Sequence, residues 1–90
     1  MRKNEGLTKN DKKKALNALC KYTNWTGDMY QLLGCYIDDD DDQKVVYKIE
    51  FCEDYTEDIY TVRYIINKSD RRKNTATSII KTAANRNYYL

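Results

Sequence analysis

Asp38, Asp39, Asp40, Asp41 and Asp42 form an unbroken run of carboxylates, the densest set of ionisable groups in the chain. Two basic clusters stand against it: Lys12-Lys13-Lys14 early in the chain and Arg71-Arg72-Lys73 late. A carboxylate run can hold a hard cation, offer negative charge in place of a nucleic-acid backbone, or keep a turn solvated. An EF-hand-type calcium loop starting at Asp39 would close on Glu50. Lys44 stands where that loop needs glycine, and Glu50 falls inside a strand pattern. No metal site is therefore expected. The basic clusters carry the charge that phosphates attract.

Catalytic chemistry has little to work with. The chain has no histidine, so the commonest general base and the commonest zinc ligand are both missing. It has no GxSxG elbow and no phosphate-binding loop. The carboxylates fall in turns, where water keeps them ordinary acids. A non-enzyme without a cofactor is expected. Cys20, Cys35 and Cys52 are an odd set with no CxxC pair. They read as reduced thiols of a cytosolic protein.

The formal net charge of +2 conceals a division into three. Residues 1–24 carry seven Lys or Arg against two acids, net +5. Residues 25–60 carry two against eleven, net −9, and residues 61–90 carry seven against one, net +6. Such a molecule can meet nucleic acid with its ends, or a basic partner with its middle. No apolar run approaches the length of a membrane helix, and the first residues do not read as a secretory signal.

These groups need elements to position them. Ninety residues make one domain, 1–90. Residues 1–7 read as a flexible basic arm. Thr8 is a candidate N-cap, Asp11 occupies the capping-box position, and Ala15, Leu16, Leu19 and Tyr22 repeat with helical spacing. The pattern predicts a helix over 8–24, ended by Asn24 to Gly27, with Trp25 as a lid on the core. Residues 30–67 alternate as three antiparallel strands around acidic turns at Asp38–Gln43 and Glu53–Asp58. Partners summing to 81 would pair Tyr36 with Val45 and Leu32 with Ile49. Partners summing to 111 would pair Tyr47 with Tyr64 and Ile49 with Val62. On the open face Cys35, Val46 and Ile65 would form an apolar row, a candidate homodimer surface. Ser69 and Asp70 suit a helix start, and Ala76, Ile79, Ile80 and Ala83 have helical spacing. A second helix over 70–87 is predicted, with Tyr88-Tyr89-Leu90 as a tail. The expected fold is α+β, a three-stranded antiparallel meander with two helices packed on one face.

This αβββα order, with Arg71-Arg72-Lys73 and the downstream Ala76, resembles the double-stranded-RNA-binding domain. The resemblance implies contact with phosphates through Lys12, Lys13, Lys14, Arg71, Arg72 and Lys73. Where that family carries a Gly-Pro-x-His segment, this chain has Asp38–Asp42. The layout is also similar to small phage-encoded inhibitors such as anti-CRISPR proteins, which implies an acidic surface that blocks a nucleic-acid site. The leading expectation is such an intracellular inhibitor of a host nucleic-acid-handling protein or nuclease, acting through Asp38–Asp42, Glu53 and Asp54. The alternative is a double-stranded-RNA binder using the basic clusters. A homodimeric accessory protein is a third.

Overall fold

The start of the helix is set by two side chains. Thr8 Oγ1 accepts a hydrogen bond from the Asp11 N–H, and Asp11 Oδ2 accepts one from the Thr8 N–H, both at 3.1 Å. This reciprocal box satisfies two of the amides that every helix start leaves unpaired. Helix α1 then runs Lys9–Thr23 and lays Ala15 and Leu19, neither with any exposed surface, against the sheet. Asn24 ends it in the left-handed conformation at φ 65°, its N–H donating to the Cys20 carbonyl at 2.7 Å. Gly27 is not the residue that takes positive φ; it opens a short 3-10 turn, Gly27–Met29.

The structure, a computed structural model, describes residues 7–83, with the side chains of Thr82 and Ala83 excepted. The predicted arm before Leu7 and the tail Tyr88-Tyr89-Leu90 lie outside the described residues. Leu7 itself is buried in the core rather than part of a free arm.

Four strands follow: β1 Tyr30–Asp40, β2 Lys44–Glu53, β3 Ile59–Asn67 and β4 Thr75–Ala83. They form one antiparallel sheet in the order β1-β2-β3-β4. The three-stranded meander with two helices is therefore corrected to a four-stranded sheet with one helix among the described residues. The stretch read as the second helix supplies a single 3-10 turn, Arg71–Lys73, and then β4. Its composition explains the outcome. Thr75, Thr77, Ile79, Ile80 and Thr82 are β-branched, stiff at χ1, and better fitted to a pleated surface than to a helix. The apolar spacing at Ala76, Ile79 and Ile80 also fits a strand, because Thr77 is an extra residue between the register positions Ala76 and Ser78. That bulge puts Ala76 and Ile79 on one face while Ile80 goes to the other.

The β2–β3 register is the predicted one: Val45 faces Ile66, Tyr47 faces Tyr64 and Ile49 faces Val62. The turn Glu53–Asp58 also stands as predicted, closed by the Glu53 N–H donating to the Asp58 carbonyl at 2.9 Å. The β1–β2 register is corrected. Leu32 faces Phe51, Cys35 faces Ile49 and Tyr36 faces Lys48, with Leu33 and Asp38 as extra residues. β1 runs on to Asp40, so the turn is shorter than expected. Each bulge shifts the alternation by one, which a strict period of two cannot anticipate. Tyr36 and Gly34 consequently sit on the open face, and Cys35 on the covered one.

The core lies between α1 and the covered face: Leu7, Ala15, Leu19, Tyr30, Cys35, Tyr47, Ile49, Phe51, Val62, Tyr64 and Ile66. α1 lies over β3 and β4. Leu32 and Ile37, on the same face of β1, stay exposed at 44% and 37%. Trp25 is 46% exposed, so it is not the lid it was expected to be.

Candidate nucleic-acid interface

One buried carboxylate ties the two basic segments together. Asp11 is 3% exposed. Its Oδ1 accepts from the Tyr64 hydroxyl at 2.7 Å and from Asn74 Nδ2 at 3.2 Å. Its Oδ2 accepts from Thr8 and, at 3.2 Å, from the Arg71 guanidinium. Burial pushes this carboxyl up. The hydrogen bonds from Thr8, Tyr64 and Asn74 outweigh it and leave the pKa below its ordinary value. Asn74 extends the joint: its Oδ1 accepts from the Asn67 N–H at 2.7 Å, and its carbonyl accepts from Lys14 Nζ at 2.6 Å.

The consequence is a shared surface. Lys12–Lys14 and Arg71–Lys73, far apart in sequence, meet where the first turns of α1 reach the loop between β3 and β4. Their cations are not equivalent. Lys14 is committed to the Asn74 carbonyl and Arg71 to Asp11. Arg72 grips Asp70 with Nε and Nη2 at 3.0 and 3.2 Å. Lys9, Lys12, Lys13, Lys21 and Lys73 have no ion-pair partner among the described residues. Four of these five follow the exposed side of α1, and Lys73 extends them past its start. Residues 7–24 and 59–83 together hold eleven Lys or Arg against two acids, net +9. The β1–β2 hairpin, residues 30–53, holds two against seven, net −5.

The acidic hairpin is internally compensated. Asp38 lies 3.7 Å from Lys48, Asp40 lies 2.8 Å from Lys68 and Asp41 lies 3.0 Å from Lys44. Lys68 Nζ also donates to the Asp41 carbonyl at 2.6 Å, fastening the tip to the end of β3. Asp41 builds the turn: its Oδ1 accepts from the Gln43 and Lys44 N–H groups. The Gln43 amide and then the Lys44 ammonium hold its carboxyl down to about 2. Asp39 and Asp42 form no ion pair among the described residues, although Asp42 is attracted to the nearby Lys68. Of the other predicted acidic contacts, Asp54 is exposed and Glu53 is 2% exposed. Glu53 Oε1 accepts from Thr56 Oγ1 at 2.6 Å, which places the side chain inside the turn.

The predicted dimer row is not assembled. Cys35 is buried on the covered face. Val46 has no exposed surface although it lies on the open face, between Asp39 and Ile65. All three cysteines are free, and burial pushes the Cys20 and Cys52 thiols up. No group of three or more metal-binding side chains occurs among the described residues. No helix there is long and apolar enough to cross a membrane. The free lysines were legible as charge in the sequence. The link that brings them together was not, because Asn74 and Tyr64 give no sign of their partner. No protein-family model, curated protein or solved structure matches the chain.

Proposed function

We propose that this protein is a non-catalytic nucleic-acid-binding module that grips phosphates with the exposed side of α1 and the Arg71–Lys73 turn. One observation carries the reading: the Asp11–Arg71 and Lys14–Asn74 contacts join two distant basic segments into one surface. Five lysines on it form no ion pair among the described residues. Lys9 to Lys21 spans about 18 Å of helix at 1.5 Å per residue, enough to follow several phosphates of one backbone. Arg71, Arg72 and Lys14 act as positioning groups, because their donors are engaged within the protein. The mode implied by the double-stranded-RNA-binding domain needs a second helix start, and Arg71–Lys73 is a 3-10 turn instead.

The test is a binding titration with labelled RNA and DNA over a salt series. Binding should weaken steeply with salt. Replacing Lys12, Lys13 and Lys73 by Gln should flatten the log–log slope by about 0.7–0.9 per lost phosphate contact. Absence of binding at 50 mM salt ends this reading.

A second reading retains one observation of its own. Asp39 and Asp42 are exposed and form no ion pair among the described residues, so the hairpin tip can still meet a basic host protein as a nucleic-acid mimic. Changing both to Asn separates the readings. Inhibition of a nuclease by a mimic is lost, whereas nucleic-acid binding through α1 is unchanged or stronger.

A further inference from the structure

The face of the sheet opposite α1 carries two rows of side chains that cross all four strands. By successive pairing, one row is Tyr36, Lys48, Arg63 and Ser78, and its neighbour is Gly34, Glu50, Thr61 and Ile80. Gly34 leaves a gap at the head of the second row. A Cβ built there meets nothing within 4 Å. Between the rows lies an open cleft of about 290 Å³.

The charges in this cleft are placed against folding. Lys48 and Arg63 are direct cross-strand partners, an arrangement that repels. Asp38, at 3.7 Å from Lys48, offsets little of it. The Arg63 guanidinium has no partner among the described residues. Glu50 sits one row away and accepts from the Tyr36 hydroxyl at 3.4 Å. Tyr36 and Ile80 are 38% and 59% exposed and give the cleft apolar walls. The cleft thus offers two cations side by side, one carboxylate acceptor, and flat apolar surface on either flank.

We propose that this cleft binds a nucleoside phosphate. The phosphate lies on Lys48 and Arg63, the base rests against Tyr36 and Ile80, and Glu50 accepts a hydrogen bond from an exocyclic amino group of the base. Carboxylates read the cytosine amine in this way, and aromatic and guanidinium planes stack on unpaired bases. The ligand is either a free nucleotide or one residue of a single strand; a base paired in a duplex cannot enter. The proposal takes its class of ligand from the nucleic-acid reading above, but its residues lie on the other face of the sheet.

The experiment follows backbone amides by NMR while 5′-CMP, inorganic phosphate or a cytosine hexanucleotide is added. CMP should shift amides around Lys48–Glu50 and Thr61–Arg63, and phosphate should do so more weakly because it brings no ring. Arg63→Met, which removes a charge-assisted contact, and Gly34→Val, which fills the gap, should each weaken CMP binding about tenfold or more. Both variants should melt at or above the wild-type temperature: one relieves like-charge repulsion, the other adds a strand-favouring side chain in free space. A loss of binding with an undiminished melting temperature is therefore not unfolding. If CMP shifts no amide on this face, or if Gly34→Val binds it as wild type does, the proposal is overturned. Saturation by CMP but not by the hexanucleotide assigns the site to a free nucleotide; tighter binding of the hexanucleotide assigns it to single strands. The Lys12, Lys13, Lys73→Gln variant should keep CMP binding. Nucleic acid held on α1 without CMP in the cleft would leave the proposed function standing alone. CMP in the cleft without nucleic acid on α1 would do the reverse.

Discussion

The hydroxyl of Tyr64 on β3 donates to the Asp11 carboxylate in the first turn of α1 at 2.7 Å, across 53 residues of sequence. It is the direct side-chain link between the helix start and the middle of the sheet. Tyr64 itself has no exposed surface. Asp11 is thereby a helix cap, a sheet anchor and the partner of Arg71.

Removing one side of this link should be costly. Tyr64→Phe should destabilise by about 1.5–3 kcal/mol, the range for a hydrogen bond to a charged group. Asp11→Ala should cost at least as much, because it also removes the acceptor of the Thr8 N–H, one half of the capping box, and strands the Tyr64 and Asn74 donors. Urea melts of the two single variants and the double variant give the coupling. Strict additivity would show that the two residues do not act together.

The same pair shapes stability against pH. The Asp11 pKa is lower in the folded state than its ordinary 3.8, so its contribution is present above that value and is lost as pH falls through and below it. Burial and the Asp11 hydrogen bond push the Tyr64 hydroxyl above its ordinary 10.0. Its contribution is therefore present below pH 10.0 and is lost as pH rises beyond it. A melting-temperature profile should fall at both ends. Asp11→Asn should flatten the acid limb, and Tyr64→Phe the alkaline one.

At the hairpin tip, stability and exposed charge should come apart. Asp41→Ala removes the acceptor of two turn amides and should lower the melting temperature. Asp39→Asn with Asp42→Asn should leave it nearly unchanged, since relief of mutual repulsion offsets the lost attraction of Asp42 to the exposed Lys68. The Asp41 contribution is present above pH 3.8 and disappears as pH falls towards 2. Equal effects from the two substitutions would be evidence against Asp41 as the turn former.

β4 can be tested by propensity. In a helix, Thr75→Ala at an exposed site would stabilise; in a strand it should cost up to about 1 kcal/mol. Chemical denaturation of this single variant decides between the two.

Core energetics should follow burial rather than face. Ile49→Ala should cost about 2–5 kcal/mol. Val46→Ala, on the face without a helix but with no exposed surface, should still cost about 1.5 kcal/mol for the two lost methyl groups. A negligible loss at Val46 in urea melts would show that its cover of neighbouring side chains is not packed.

What could be read from residue order follows from how local the cause is. α1 was legible because Thr8 and Asp11 announce it and Ala15 and Leu19 repeat with its period. The β2–β3 ladder was legible because both strands alternate without interruption around a turn that closes on itself. β1 was misread because Leu33 and Asp38 are extra residues, and a bulge leaves the composition of a strand unchanged. β4 was misread because Ala76, Ile79 and Ile80 satisfy a helical period. The deciding factor was the five β-branched residues beside the unpaired edge of β3. The two basic clusters were legible as charge. Their meeting depends on Asn74 and Tyr64, whose partner Asp11 lies 63 residues away in one case and 53 in the other.

The two spare residues of β1 have a consequence for how this strand can vary over evolutionary time. Eleven residues of β1 lie against nine of β2, from Glu53 back to Val45. The ladder could therefore close over the loss of Leu33 or Asp38 with every remaining side chain keeping its inward or outward sense. Loss of a residue between them would close the ladder only by drawing Leu33 or Asp38 into a paired position that it does not now hold. Length polymorphism in relatives should favour those two positions over Gly34 to Ile37. In this strand a deletion can be the conservative change, and a substitution that tightens a bulge the radical one.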